Sequence, residues 1–299
     1  MKKSLLARLV RNACLGSVIL LTACGGGDSK PSGTLSLNIT DAPVDEASEV
    51  VVAFTGVTIK PQSGPAFDID FVDENGAPVV KTIDLLDQQG PNSEPLLLNH
   101  ELDAGHYNWM RLKVDMDQSF ITLEEGGARK QLYIPSGDET GLKLNRGFEI
   151  TDGGAATFTV DFDLRKSVLA PSNGSDVYKL KPTLRIVENA NVGHLSGTVD
   201  SVARSDASCA TTPNYAVYVF EGDVTPDDVD GDAVDPISSA LVSVDTYSYA
   251  VGFLNQGTYT VAFTCEADLD SNEGDEAITF LGTTTVTITA GATTTHDFE

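Results

Sequence analysis

The chain has 299 residues, with 19 Lys+Arg against 44 Asp+Glu, a formal net charge of −25 and 41% hydrophobic residues. That length allows about two domains, and the apolar fraction suffices for packed cores, so wholesale disorder is excluded. The negative charge excludes nucleic acid as a partner, since phosphates would be repelled. Beyond the first thirty residues there is no long apolar run, which excludes a multi-span helical membrane protein.

Residues 1–23 read as an export signal. Lys2, Lys3, Arg8 and Arg11 form a cationic stretch with no acid, and Leu15 to Leu21 is a short apolar core. Leu21-Thr22-Ala23-Cys24 then resembles the bacterial lipobox, which implies that Cys24 is lipidated and becomes the mature N-terminus. Residues 24–32 are a polar, Gly-rich tether. In Gram-negative lipoproteins an Asp directly after the lipidated Cys favours inner-membrane retention. Gly25 stands there, so the expectation is an outer-membrane lipid anchor, facing either the periplasm or the exterior.

Removing the signal leaves 15 Lys+Arg against 44 acids, a net −29. Of the four cysteines, Cys14 is discarded and Cys24 takes lipid. Cys209 and Cys265 remain as an even pair in an oxidising compartment, which predicts a disulfide. Two buried free thiols are the alternative. A loop of about 56 residues would stabilise by roughly 4 kcal/mol in the chain-entropy model.

Period-two runs bounded by Gly, Pro, Asn and Asp follow one another along the mature chain. Leu35 to Ile39, Thr157 to Phe162 and Val286 to Ile288 alternate, while Val50 to Phe54 is a continuous apolar run suited to a central strand. No long helical period is found outside the signal. The expected fold class is therefore all-β, with two β-sandwich domains in tandem, residues 33–190 and 191–299. Asn189 to Gly193 is the turn-rich seam. Residues 191–299 contain one base, Arg204, and 18 acids, whereas residues 24–190 contain 14 bases and 26 acids. One short pattern occurs in both halves, Leu102-Asp103-Ala104-Gly105-His106-Tyr107 and Leu254-Asn255-Gln256-Gly257-Thr258-Tyr259. In each, Gly suits a positive-φ turn into the next strand, and Tyr suits a tyrosine corner.

Five stretches carry a family resemblance. They are Gly33 to Leu35 with Thr40 to Asp45, Leu102 to Leu112, Ile134 to Gly137 with Thr140 to Leu144, Val160 to Asp163, and Leu180 to Pro182. On these, residues 33–188 closely resemble the domain-of-unknown-function 4382 family of bacterial lipoproteins. The resemblance implies an all-β lipoprotein domain and brings no activity. Residues 194–298 look like a prealbumin-type or carboxypeptidase-regulatory-like sandwich, on Tyr247 to Leu254 followed by Gly257 to Val261. Some sandwiches of that type carry a Lys–Asn crosslink. Residues 191–299 contain no Lys, which excludes it there.

The chain shows no HExxH, GxSxG, phosphate loop or CxxC. His100 and His106 read as exposed loop or strand residues. Calcium is the better site hypothesis, at two separate loops. The first offers Asp268, Asp270 and Asn272, with Asp275 further on, and the second offers Asp228, Asp230 and Asp232. Alternate carboxylate and amide oxygens in a tight loop can converge on one hard cation. Neither loop is an EF-hand: the Gly at position 6 is absent, and position 12 is Thr279 or Ser239. The competing reading is a solvated acidic surface.

Period two from Tyr107 to Met116 puts Met110, Leu112, Val114 and Met116 on the core face and Tyr107, Trp109, Arg111 and Lys113 outward. An outward Trp109 with Tyr107 and Arg111 could form a platform for a sugar or an anionic partner. Packing of Trp109 under a neighbouring loop is the alternative. Asp41 and Asp45, which flank the Pro43 turn, read as structural groups that bond local backbone N–H, with a metal or partner contact as the alternative.

The expected role is a non-catalytic binding or structural module of the cell envelope. Its partners would be the membrane, through Cys24, and an envelope protein or a glycan. A calcium-dependent adhesion or scaffold protein is the second reading, and a glycosidase-like hydrolase the third.

Overall fold

The computed structural model describes residues 30–42, 47–123, 127–135, 141–171, 176–209, 214–231, 234–271 and 274–299. The signal, Cys24, Asp45, Asp232 and Asn272 lie outside the described residues. No described helix is long and apolar enough to cross a membrane.

Before the seam the strands are β1 (Ser32–Ala42), β2 (Glu49–Pro61), β3 (Phe67–Asp70), β4 (Lys81–Asp84), β5 (Glu94–Asp103), β6 (Gly105–Thr122) and β7 (Lys130–Tyr133). They continue as β8 (Leu142–Leu144), β9 (Phe148–Ile150), β10 (Ala155–Asp163), β11 (Val168–Leu169), β12 (Tyr178–Leu180) and β13 (Leu184–Glu188). Four of them form one sheet, in the order β13-β10-β1-β5, in which β1 and β10 run parallel. The others form a nine-stranded sheet built on the long β2–β6 antiparallel pair. Alternation explains the packing between the two sheets. Leu35, Leu37 and Ile39 of β1 point inward with Phe158, Val160 and Phe162 of β10, and meet Val52, Phe54, Met110 and Leu112 from the other sheet. The continuous run Val50 to Phe54 lies in β2, between β6 on one side and β3 and β4 on the other, where both faces are buried.

After the seam come β14 (Val192–Thr198), β15 (Ala216–Glu221), β16 (Ser238–Leu241), β17 (Ser248–Asn255), β18 (Gly257–Thr264), β19 (Leu281–Ile288) and β20 (Thr293–Thr295). They form a three-stranded sheet, β17-β14-β20, and a four-stranded sheet, β16-β15-β18-β19. Leu195, Tyr249 and Val251 from the first meet Val217, Val261 and Phe263 from the second in a separate core. These two sheets face each other as a β-sandwich. Cys209 and Cys265 form a disulfide in that core, with Cα atoms 5.0 Å apart.

No ladder crosses the seam among the described strands, yet Pro31–Glu299 is one compact unit. Cations from the first half hold the two together. Arg165 and Lys166 lie in a short helical turn, Leu164–Ser167. Asp163 caps that turn by accepting from the Lys166 N–H at 3.2 Å. Arg165 Nη1 donates to the Ala267 carbonyl at 2.8 Å, and Lys166 Nζ donates to Asp235 at 2.9 Å and to the Pro236 carbonyl at 2.7 Å. Arg185 bridges Asp161, at 2.5 Å, and the Phe253 carbonyl, at 3.0 Å. Close approach completes the seam. A methyl group on Gly252 would stand 1.8 Å from the Gly90 carbonyl oxygen.

Both repeated Tyr motifs are corners. Tyr107 and Tyr259 each donate to a carbonyl four residues earlier, Asp103 and Asn255, at 2.7 Å. The glycines differ: Gly105 takes φ +152°, whereas Gly257 has no positive φ.

Candidate functional site

The acidic loops owe their positions to apolar anchors. Strand β15 is buried on both faces. Val217 and Val219 point into the sandwich core, while Ala216, Tyr218 and Phe220 form a second apolar cluster on the outer face. Two connections cover that face, 222–237 between β15 and β16 and 265–280 between β18 and β19. They are pinned by Val224, Val229, Val234, Ala267 and Phe280. Two of these anchors carry acids with them: Asp228 and Asp230 flank Val229, and Asp270 lies three residues after Ala267.

The two loops expected as separate sites therefore meet in one place. Carboxylate oxygens of Asp228, Asp270 and Glu276 lie within 4.8 Å of one another, and so do those of Asp228, Asp230 and Asp275. Asp228 belongs to both groups and is only 1% exposed. Its Oδ2 accepts the Glu276 N–H at 2.5 Å, while its Oδ1 is buried and has no hydrogen-bond partner. Asp270 accepts from the Tyr218 hydroxyl at 2.5 Å and from the Val229 N–H at 2.9 Å. Glu276 accepts from the Ser271 hydroxyl at 2.9 Å and N–H at 3.1 Å. Burial pushes the Asp270 carboxyl above its ordinary range, and the Asp228 charge adds to this. The Tyr218 and Val229 hydrogen bonds and the Arg165 charge pull the other way. The Arg165 guanidinium also lies 5.4 Å from the centre of the Tyr218 ring.

Asp268 is exposed and belongs to neither group, because it sits on a single 3-10 turn, Ala267–Leu269, with its side chain facing solvent. Glu276, Tyr218 and Arg165 are the residues that spacing within each loop could not supply. The Val229–Asp270 and Asp228–Glu276 contacts span 41 and 48 positions of sequence. They depend on how the connections fold over β15.

The outward platform does not form as expected. A register shift against β2 lies between Trp109 and Tyr107, so Tyr107 turns into the core while Trp109 stays on the outer face. Tyr107 stacks on Phe148 with ring centres 4.9 Å apart. Trp109 remains with Arg111 and with Lys143 of the neighbouring β8, whose cationic groups lie 4.9 and 5.3 Å from its ring centre. The ring is a half-buried cation–π partner.

His100 is half-buried in β5, where burial lowers its pKa, and His106 is exposed on β6 beside Glu149, at 3.8 Å. Asp41 is buried at the end of β1. Its N–H bonds the Gln88 carbonyl at 3.0 Å, and the Thr40 hydroxyl lies 2.8 Å from that same oxygen. An open cleft of about 970 Å³ is lined by Glu49, Asp84, Asp87, Asp117, Arg129 and Lys130, among others. Two of its carboxylates serve the backbone and a neighbouring strand. Asp84 accepts the Val50 and Leu86 N–H groups at 3.1 and 3.2 Å, and Glu49 accepts the Thr122 hydroxyl at 2.8 Å.

Residues 32–182 match the family model described as a domain of unknown function (DUF4382). The chain belongs to this family. No curated protein matches the chain. Among solved structures, it is similar to the Bacillus anthracis TIE protein, with 13% identity and a TM-score of 0.22 over 90% of this chain and 34% of that one. It thus spans about a third of the TIE protein. It is also similar to GBS52, the minor pilin of Streptococcus agalactiae, with 12% identity and a TM-score of 0.22 over 89% of this chain and 95% of that one. A fimbrial protein of Bacteroides ovatus is 8% identical, with a TM-score of 0.22 over 90% of this chain and 49% of that one. TM-scores this low support no inference about function. The all-β fold rests on the sheets described above.

Proposed function

We propose that this DUF4382 protein is a lipid-anchored, non-catalytic structural or binding module of the Gram-negative envelope, held at the outer membrane through Cys24. The observation that carries the reading is the use made of its charges. Arg165, Lys166 and Arg185 of the first sandwich bond acceptors on the second, and join an acidic body with one base of its own to a more balanced one. Carboxylates that could resemble an acid–base pair are engaged by backbone N–H groups, as at Asp84. A body of this kind presents surface rather than chemistry. Behind the lipobox and tether it would stand off the membrane as a partner for an envelope protein or a glycan.

The test is metabolic labelling with an alkyne fatty acid, followed by fractionation of the envelope. The wild type should carry label and sediment with outer membranes, and Cys24→Ala should lose both. Unlabelled, soluble wild-type protein would overturn the anchor. Turnover of a polysaccharide that disappears in Asp84→Asn would overturn the non-catalytic reading.

A further inference from the structure

We propose that Asp228 and Asp230 of the β15–β16 connection and Asp270, Asp275 and Glu276 of the β18–β19 connection form one Ca²⁺ site, with the buried Asp228 carboxylate as the ligand common to both groups. Asp270 and Glu276 make one group with it, and Asp230 and Asp275 the other. The inference does not depend on where the chain is anchored.

An acidic cluster alone would not carry this, since charged loops are commonly solvated. Asp228 is different. It is 1% exposed, and its Oδ1 has no donor. Buried carboxylates are expected to be paired with a cation, hydrogen-bonded or metal-bound. Here oxygens of other carboxylates lie within 4.8 Å of an Asp228 oxygen. Sharing a proton with one of them would draw two oxygens to about 2.5–2.7 Å. The exposed Asp227 carboxyl comes within hydrogen-bonding reach of the Asp228 side chain, so a proton shared there is the competing arrangement, and it would leave the wild type without a Ca²⁺ response. Oxygens that all lie within 4.8 Å of one another are close enough to surround a single ion. Each Ca²⁺–oxygen bond is about 2.4 Å long.

The ligand set selects the metal. It is all oxygen, with no His or Cys, which suits a hard cation. The ligands come from two irregular connections, and Ca²⁺ tolerates irregular geometry and takes six to eight oxygens, whereas Mg²⁺ demands a near-ideal octahedron. The hydrogen bonds that Asp270 and Glu276 already accept do not disqualify them, because each carboxylate oxygen has two lone pairs. Those bonds hold the carboxylates in place before an ion arrives. Residues 191–299 carry 18 acids and one base, and the cation whose charge acts on Asp270 is Arg165 of the other half.

The test uses the full-length protein in detergent, stripped with chelator, and titrated with CaCl₂ and with MgCl₂ by calorimetry and thermal melting. The wild type should bind one Ca²⁺, with a dissociation constant in or below the range of about 0.1–1 mM typical of extracellular modules, and should melt higher with Ca²⁺ than with chelator. Asp275→Asn, at an exposed position, should fold normally and weaken Ca²⁺ binding at least about tenfold, the loss that even outer-shell changes cause. Asp268→Asn should bind as the wild type does. Asp228→Asn should lose the Ca²⁺-dependent rise and, in chelator, melt no lower than the wild type, because it removes a buried unpaired charge. Absence of heat and of any melting shift in the wild type would overturn the site, as would Asp275→Asn binding unchanged. Stronger binding of Mg²⁺ than of Ca²⁺ would overturn the choice of metal.

Discussion

Replacing Arg165 by Met would test how the two sandwiches are joined. Arg165 is 8% exposed, so its interactions are little screened by solvent. It donates to the Ala267 carbonyl over 2.8 Å. A hydrogen bond with a charged donor contributes about 1.5–3 kcal/mol. The guanidinium also lies 5.4 Å from the Tyr218 ring centre. A desolvated cation–π contact adds about 2 kcal/mol. Met keeps most of the volume and removes both. The expected loss is about 3–5 kcal/mol, the range found on breaking a buried charged contact. For a chain of this size that lowers Tm by about 6–15 °C. Urea unfolding should be followed by Trp109 fluorescence, which reports on the first sandwich, and by far-ultraviolet dichroism, which reports on both. The wild-type transitions should coincide, and those of Arg165→Met should separate. A loss under about 1 kcal/mol, the value of an exposed ion pair, would refute the reasoning and make Arg165 a surface residue.

Other outcomes follow from the same contacts. Arg165→Met should also tighten Ca²⁺ binding in the calorimeter, because it removes a cation whose charge acts on Asp270. Gly252→Ala drives a methyl group against the Gly90 carbonyl, and should speed proteolysis between residues 188 and 193. Tyr107→Phe and Tyr259→Phe each remove one corner hydrogen bond. Each should cost about 1 kcal/mol in urea unfolding. The disulfide Cys209–Cys265 closes a sequence separation of 56 residues. Reducing it should cost about 4 kcal/mol, read in the same unfolding assay. Burial raises the Asp163 carboxyl from 3.8 to about 6. Because the folded value lies above the unfolded one, this group's contribution is complete below 3.8 and is lost as pH rises to about 6. Stability should therefore rise by about 1 kcal/mol as pH falls from about 6 to 5, and Asp163→Asn should reduce that slope.

Much of the fold was legible because strand alternation is a local property. Leu35, Leu37 and Ile39 follow the pleat of their strand, and the Val50 to Phe54 run belongs in the middle of a sheet. The tyrosine corners were legible for the same reason, since Tyr and carbonyl lie four residues apart. Tyr107 shows where period two stops working. One register shift moves it to the opposite face from that expected, and no residue type in Gly105 to Met110 announces the shift. The acidic loops show a different limit. Their composition was visible, but counting within each loop gave two sites and included Asp268. The outer face of β15 brings Asp228 to Asp270 and Glu276, and this depends on Tyr218, Phe220 and Val229 forming a second apolar cluster. The charge contrast between the two halves is a property of composition. That Arg165, Lys166 and Arg185 would bridge the halves needed the sheets in place.

Whether the two acidic loops act as one site is most directly decided by anomalous scattering from crystals of the protein grown with Ca²⁺ and then exchanged with Tb³⁺. A single peak per chain, bonded to Asp228 at about 2.4 Å and shared by both loops, is the result this account predicts. Two peaks, one on each loop, or no peak beside Asp228 would contradict it.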